Sequence, residues 1–223
     1  MNEWTSGHFK IKKLDIDLAR AKQDCLAIYE TVKYRYGNFK VPVDGPAFSN
    51  LSTRLFFKYN TFLFSSQELH KLFVEISNFW KTIQPTDEPW YLRSWVNVYD
   101  NSKSVGWHSH FESKDNGWHG YFCVDVDQSK TTYALFPPLF QESIAHEKDY
   151  VYNNMCLLEH NTEYELADVC GQDNFLFISP SGPMHRNIPW AISDRPRITI
   201  AFDILPGRII DNSLYENHWI PLV

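Results

Sequence analysis

From Pro89 onward the chain stops repeating at helical spacing and begins to alternate. Trp90 to Tyr99, Trp118 to Asp127, Thr131 to Phe136, Tyr150 to Leu158, Asp173 to Ser179 and Pro196 to Leu205 are short runs rich in β-branched and aromatic residues, parted by polar or Pro/Gly turns. Parallel pairing of successive strands needs a crossover of a dozen residues or more, usually a helix, and no long helical pattern falls between these runs. The stretch therefore predicts an antiparallel sandwich or barrel.

Upstream the period is helical. Leu18, Ala21, Cys25, Ile28, Tyr29 and Val32 line one face between Asp15 and Tyr36, with Asp15 or Asp17 placed to cap the start and Gly37 to stop it. Ser65-Ser66-Gln67-Glu68 has capping-box spacing, and Leu69, Leu72, Phe73, Ile76, Phe79 and Ile83 then form an apolar face that runs to Gln84-Pro85. Leu55 to Phe64 is aromatic enough for a strand or a buried loop, and its type stays open. The expectation is a mainly β fold with flanking α-helices in one domain over residues 1–223. Residues 1–89 form a helical N-terminal support, 90–207 the β-barrel core and 208–223 a tail that docks through Trp219.

Composition narrows the class of partner. Net charge is −6, and no run of Lys or Arg exceeds Lys12-Lys13, so the electrostatic footprint of a nucleic-acid binder is missing. Aromatic residues make up 16% of the chain, as in a folded globular protein. No apolar run approaches the ~20 residues of a membrane span. Cys25, Cys123, Cys156 and Cys170 lack any C-x-x-C pair and follow no signal peptide, which points to reduced thiols in a cytoplasmic protein.

Within the β region, Trp107-His108-Ser109-His110-Phe111-Glu112 carries the chemistry. Two histidines separated by one residue on an extended strand face the same way and can hold one ion. Phe175 to Ser179 runs into a Pro/Gly turn, Pro180 to Met184, that delivers His185; in a barrel that turn can bring a third imidazole to the pair. Imidazole suits Fe, Zn, Cu and Ni. His108 and His185 are expected as ligands, with His110 as the third and Glu112, on the same face if the strand continues, held open beside it. His8, His119, His146, His160 and His218 lack such a context and read as ordinary surface or core residues.

Two further strands offer binding groups. Trp95, Asn97 and Tyr99 share a strand face, so an amide and a phenol would project beside the metal strand, able to bond a carboxylate or keto oxygen. In Arg195 to Asp203 the residues Arg197, Thr199 and Ala201 face one way and Ile198, Ile200 and Phe202 the other. The polar face offers a guanidinium fork suited to a carboxylate. A core edge for Asn97 and Tyr99, and a salt bridge to a neighbouring strand for Arg197, are the structural alternatives.

Taken together these residues resemble the 2-oxoglutarate and Fe(II)-dependent oxygenase superfamily, over about Trp95 to Asp203. The run of W-x-N, H-x-H, Gly120-Tyr121-Phe122, an Ile-Ser-Pro turn before His185 and a closing R-I-T-I-A-F looks most like an oxygenase family of marine microbes and their phages. The resemblance implies a double-stranded β-helix, the jelly-roll barrel that cupins share, with Fe(II) on His108, His185 and a third ligand. It also implies 2-oxoglutarate anchored by Arg197 and Thr199, with Asn97 and Tyr99 contacting it, and O2 as co-substrate. The usual third ligand is Asp or Glu where this chain has His110. The implied reaction hydroxylates a C–H bond of a small molecule, amino acid or protein side chain. Cupins are similar too, through H-x-H and Pro180-Ser181-Gly182-Pro183-Met184-His185, although Glu112 follows too closely for the cupin spacing. That resemblance implies a metal enzyme without 2-oxoglutarate. A non-catalytic β-barrel binding module is the third reading.

Overall fold

The computed structural model describes residues 3–5, 10–37, 55–99, 105–108, 110, 117–126, 129–134, 157–161, 166–170, 172–181, 185–188, 195–210 and 218–223. Among them the strands are β1 (Glu3–Thr5), β2 (Lys10–Lys13), β3 (Trp90–Tyr99), β4 (Val105–His108), β5 (Trp118–Asp125), β6 (Lys130–Ala134), β7 (Leu157–Asn161), β8 (Leu166–Cys170), β9 (Phe175–Pro180), β10 (His185–Ile188), β11 (Arg197–Pro206) and β12 (Ile220–Pro221). The helices are α1 (Leu18–Tyr36), α2 (Gln67–Ile83) and the single turn α3 (Gly207–Ile210). None is long and apolar enough to cross a membrane. Every strand pairing among the described residues is antiparallel, as the sequence pattern predicts. A seven-stranded sheet runs β1-β2-β9-β5-β11-β3-β12 and a five-stranded one β4-β10-β6-β8-β7.

The N-terminal segment does more than supply helices, because β1 and β2 extend the larger sheet alongside β9. The helices begin where side chains can satisfy their free amides. Asp17 Oδ1 accepts from Ala19 N (3.1 Å) and Arg20 N (3.2 Å), and Ser66 Oγ accepts from Leu69 N (3.2 Å). Gly37 follows α1 in right-handed geometry (φ −58°), so the helix stops without a left-handed cap. Leu55 to Phe64 forms no strand; it is largely buried and holds two short 3-10 turns, and Asn60 Nδ2 ties them to β3 through Leu92 O (3.1 Å).

Strand β11 is the spine. It pairs with β3 on one side and β5 on the other, and all ten of its residues are buried. Its Ile198, Ile200, Phe202 and Ile204 join the core shared with the helices. The close fit there needs Gly120 on β5: a Cβ would lie 2.4 Å from the Phe202 ring and 2.5 Å from Phe177 O. The opposite face of β11 looks towards the five-stranded sheet and carries Arg197, Thr199 and Asp203. A polar face buried on both sides is the informative departure from a purely apolar core.

Candidate metal and cosubstrate site

His108 ends β4 and His185 begins β10, and antiparallel register sets them directly opposite each other. Tyr133 on β6 is the next residue across from His185. His185 is therefore delivered as the first residue of a strand; the preceding turn, 182–184, lies outside the described residues. His110 itself lies in a bend rather than in a strand. Its backbone N–H donates to Ser181 O (3.3 Å), and from there its ring turns back to the pair. Ring centroids are 4.4 Å apart for His108 and His185, 5.2 Å for His108 and His110, and 5.1 Å for His110 and His185. One nitrogen from each of the three imidazoles lies within 4.8 Å of the others. Glu112 lies outside the described residues.

His110 is held by a carboxylate that the expected ligand set did not include. Asp203, on β11, accepts from His110 Nδ1 (2.8 Å), His119 Nδ1 (3.1 Å) and an Arg93 guanidinium nitrogen (3.1 Å). Burial by itself would raise the Asp203 pKa, but the contacts with His110, the hydrogen bond from His119 and the Arg93 charge outweigh it and hold the group well below the usual carboxylate range. Asp203 is thus ionised and can only accept. Burial, with the neighbouring His119, pulls the His110 pKa down to about 3 against the opposing pull of Asp203, so its ring is neutral at neutral pH. With Nδ1 carrying the hydrogen, His110 Nε2 keeps a lone pair, and that atom is buried with no hydrogen-bond partner among the described residues. An unsatisfied buried lone pair facing two further imidazoles fits a metal ligand, and the all-nitrogen donor set suits a first-row transition metal.

Further along the same inward face of β11, Thr199 lies opposite Asn97 and Arg197 opposite Tyr99, so these four sequence-selected residues come together. Arg197 is 7% exposed. Its Nε donates to Ser129 Oγ at 2.6 Å, whereas its terminal nitrogens reach Thr199 Oγ1 and Thr131 Oγ1 only at 3.4 and 3.5 Å. Asn97 Nδ2 donates to the same Thr199 hydroxyl at 3.3 Å. The salt bridge considered for Arg197 is not formed among the described residues; Arg195 approaches Asp125 instead (3.8 Å). Between the two ends of the face, Tyr133 stacks on His185 with centroids 5.2 Å apart, and Tyr121 lies opposite Ala201. Burial pushes both phenols well above their ordinary pKa.

Ser129, Thr131, Tyr121, Tyr133, His119 and Asp203 complete this lining, and none was selected from the sequence. A signal existed for Asp203, which continues the alternation of Arg197, Thr199 and Ala201 at period two. His119 stands on β5 directly opposite Asp203, a pairing that only the register reveals.

No protein-family model matches the sequence, and no curated protein matches it. Solved structures share its fold. The non-heme alpha-ketoglutarate-dependent carbocyclase SnoK from nogalamycin biosynthesis is 11% identical with a TM-score of 0.55, the match covering 97% of this chain and 92% of that one. A nickel complex of the non-heme monooxygenase ThoJ is 11% identical with a TM-score of 0.50, covering 93% and 74%. A Pseudomonas putida prolyl-4-hydroxylase is 11% identical with a TM-score of 0.50, covering 89% and 94%. The chain therefore has the mainly antiparallel fold found in non-heme oxygenases. At such identities the likeness is one of fold, and function is argued from the site.

Proposed function

We propose that this protein is an Fe(II)- and 2-oxoglutarate-dependent oxygenase that hydroxylates a C–H bond of a small molecule, amino acid or protein side chain, converting 2-oxoglutarate and O2 to succinate and CO2. One observation carries the reading. The inward face that leads to the three-imidazole cluster, in which His185 is buried and His108 and His110 are half-buried, also holds a buried guanidinium whose described partners are all neutral hydroxyls. A buried cation normally finds an anion. 2-Oxoglutarate would supply one while its other end reaches the imidazoles.

In this reading His108, His110 and His185 hold the metal. Arg197 binds the far carboxylate of 2-oxoglutarate through its terminal nitrogens, with Nε anchored on Ser129. Thr199 adds a hydroxyl to the same carboxylate, and Asn97 and Tyr99 fix the molecule laterally. When bound, Fe(II) supplies the oxidising chemistry, activating O2 with electrons from the decarboxylation of 2-oxoglutarate. The chain orients the reactants and excludes water with Trp95, Tyr121 and Tyr133, all buried. The two sheets are read as the halves of a double-stranded β-helix and the whole chain as one domain. Buried free thiols at Cys25 and Cys123 suit a reducing cytoplasm.

The all-histidine set favours a second reading, a cupin-type metal enzyme that needs no 2-oxoglutarate. One incubation separates the two: protein purified without oxygen, then given Fe(II), O2 and labelled 2-oxoglutarate. Labelled succinate is expected, in an amount above that released by the His185→Ala variant. Full metal loading without succinate would favour the cupin reading.

A further inference from the structure

Asp203 meets more than one partner of the candidate metal site. One of its oxygens, Oδ1, receives Nδ1 of both His110 (2.8 Å) and His119 (3.1 Å), and the other, Oδ2, takes the Arg93 guanidinium (3.1 Å). The two imidazoles lie face to face, centroids 3.6 Å apart and planes 17° from parallel. Trp95 stacks against both, at 5.7 Å from His110 and 6.0 Å from His119. Arg93 in turn lies over the rings of Phe56 (4.6 Å) and Trp219 (4.8 Å), so residues far apart in the chain hold the carboxylate in place.

This geometry bears on what His119 can do. Among the described residues His110, His119 and Asp203 also bring one possible ligand atom each within 4.8 Å of the others, but both rings give Nδ1 to the same Asp203 oxygen, and only His110 also belongs to the group with His108 and His185. His119 acts as a backing ring.

We propose that Asp203 is the positioning residue of the metal centre: it fixes His110 as the Nδ1–H tautomer with Nε2 turned to the ion, while His119 and Arg93 fix Asp203. The proposal rests on the reading of His110 as a ligand. A carboxylate acceptor on the far nitrogen locks the ring's orientation and raises its basicity, and loss of such a partner commonly weakens metal binding by about 10- to 100-fold.

Two measurements on the full chain test it. In metal-free protein, nitrogen-15 histidine NMR should show His110 protonated at Nδ1 and bare at Nε2; the opposite tautomer would overturn the proposal. Titration with Co(II), followed by its visible d–d absorption, should give about 10- to 100-fold weaker binding and a shifted band in Asp203→Asn. Because that variant strands the Arg93 charge, the paired change Arg93→Met with Asp203→Asn, which removes both charges together, should show the same weakening. Co(II) binding as tight as wild type in either folded variant would remove the positioning role and leave the metal site standing. Failure of wild-type protein to take up Co(II) would remove the metal site, and the role with it.

Discussion

Replacing Arg197 with Met tests the proposed function at the group that separates its two readings. In the structure the guanidinium is 7% exposed, its Nε is tied to Ser129 Oγ at 2.6 Å, and its terminal nitrogens are loosely held at 3.4 and 3.5 Å. Those terminal nitrogens are the pair a carboxylate would take bidentately. Removing one partner of a buried charged pair costs about 3 to 5 kcal/mol, which converts to roughly two to four decades of 2-oxoglutarate affinity. The fold should bear the change better. Met fills much of the volume, and the buried hydroxyls left behind cost about 1 to 3 kcal/mol, partly offset because a buried charge is gone. Anaerobic titration of the Fe(II)-loaded protein, followed by its tryptophan fluorescence, gives the dissociation constant for each variant. Arg197→Lys should fall between wild type and Met, since an ammonium is a point charge without the fork. Unchanged 2-oxoglutarate affinity in a folded Arg197→Met protein would refute the assignment and return the cupin reading to first place.

Other perturbations follow from the same geometry. Excess metal should raise the melting temperature of wild type, because a ligand at 100 times its dissociation constant contributes about 2.7 kcal/mol, and calorimetry should find that gain lost in His108→Ala and His185→Ala. The third ligand is settled by measuring iron content in two variants: His110→Ala should lose iron and Glu112→Gln keep it, and the reverse pattern would make the site a two-histidine, one-carboxylate triad. Gly120→Ala should lower the melting temperature by several degrees without altering the metal-binding groups, since its Cβ would lie 2.4 Å from Phe202 and 2.5 Å from a backbone oxygen. Overpacking of this kind costs about 1 to 3 kcal/mol.

Much of this molecule could be read from local pattern. The period-two runs after Pro89 implied antiparallel strands, the caps at Asp17 and Ser66 and the apolar stripes behind them implied two helices, and H-x-H with a later histidine marked the residues that do come together. Each of these is a short-range rule, written in side-chain spacing along one element. What the sequence could not set was which strands lie side by side. Register places His119 opposite Asp203 and His185 opposite His108, and the packing of the two sheets brings Ser129 and Thr131 to Arg197. His110 shows the same limit. Its place beside His108 suggested a shared strand, but His110 lies in a bend, and its backbone tie to Ser181 and a carboxylate from β11 orient the ring instead. Pairing between distant segments depends on the burial of whole faces and on loop closure, and no local window of residues contains that information.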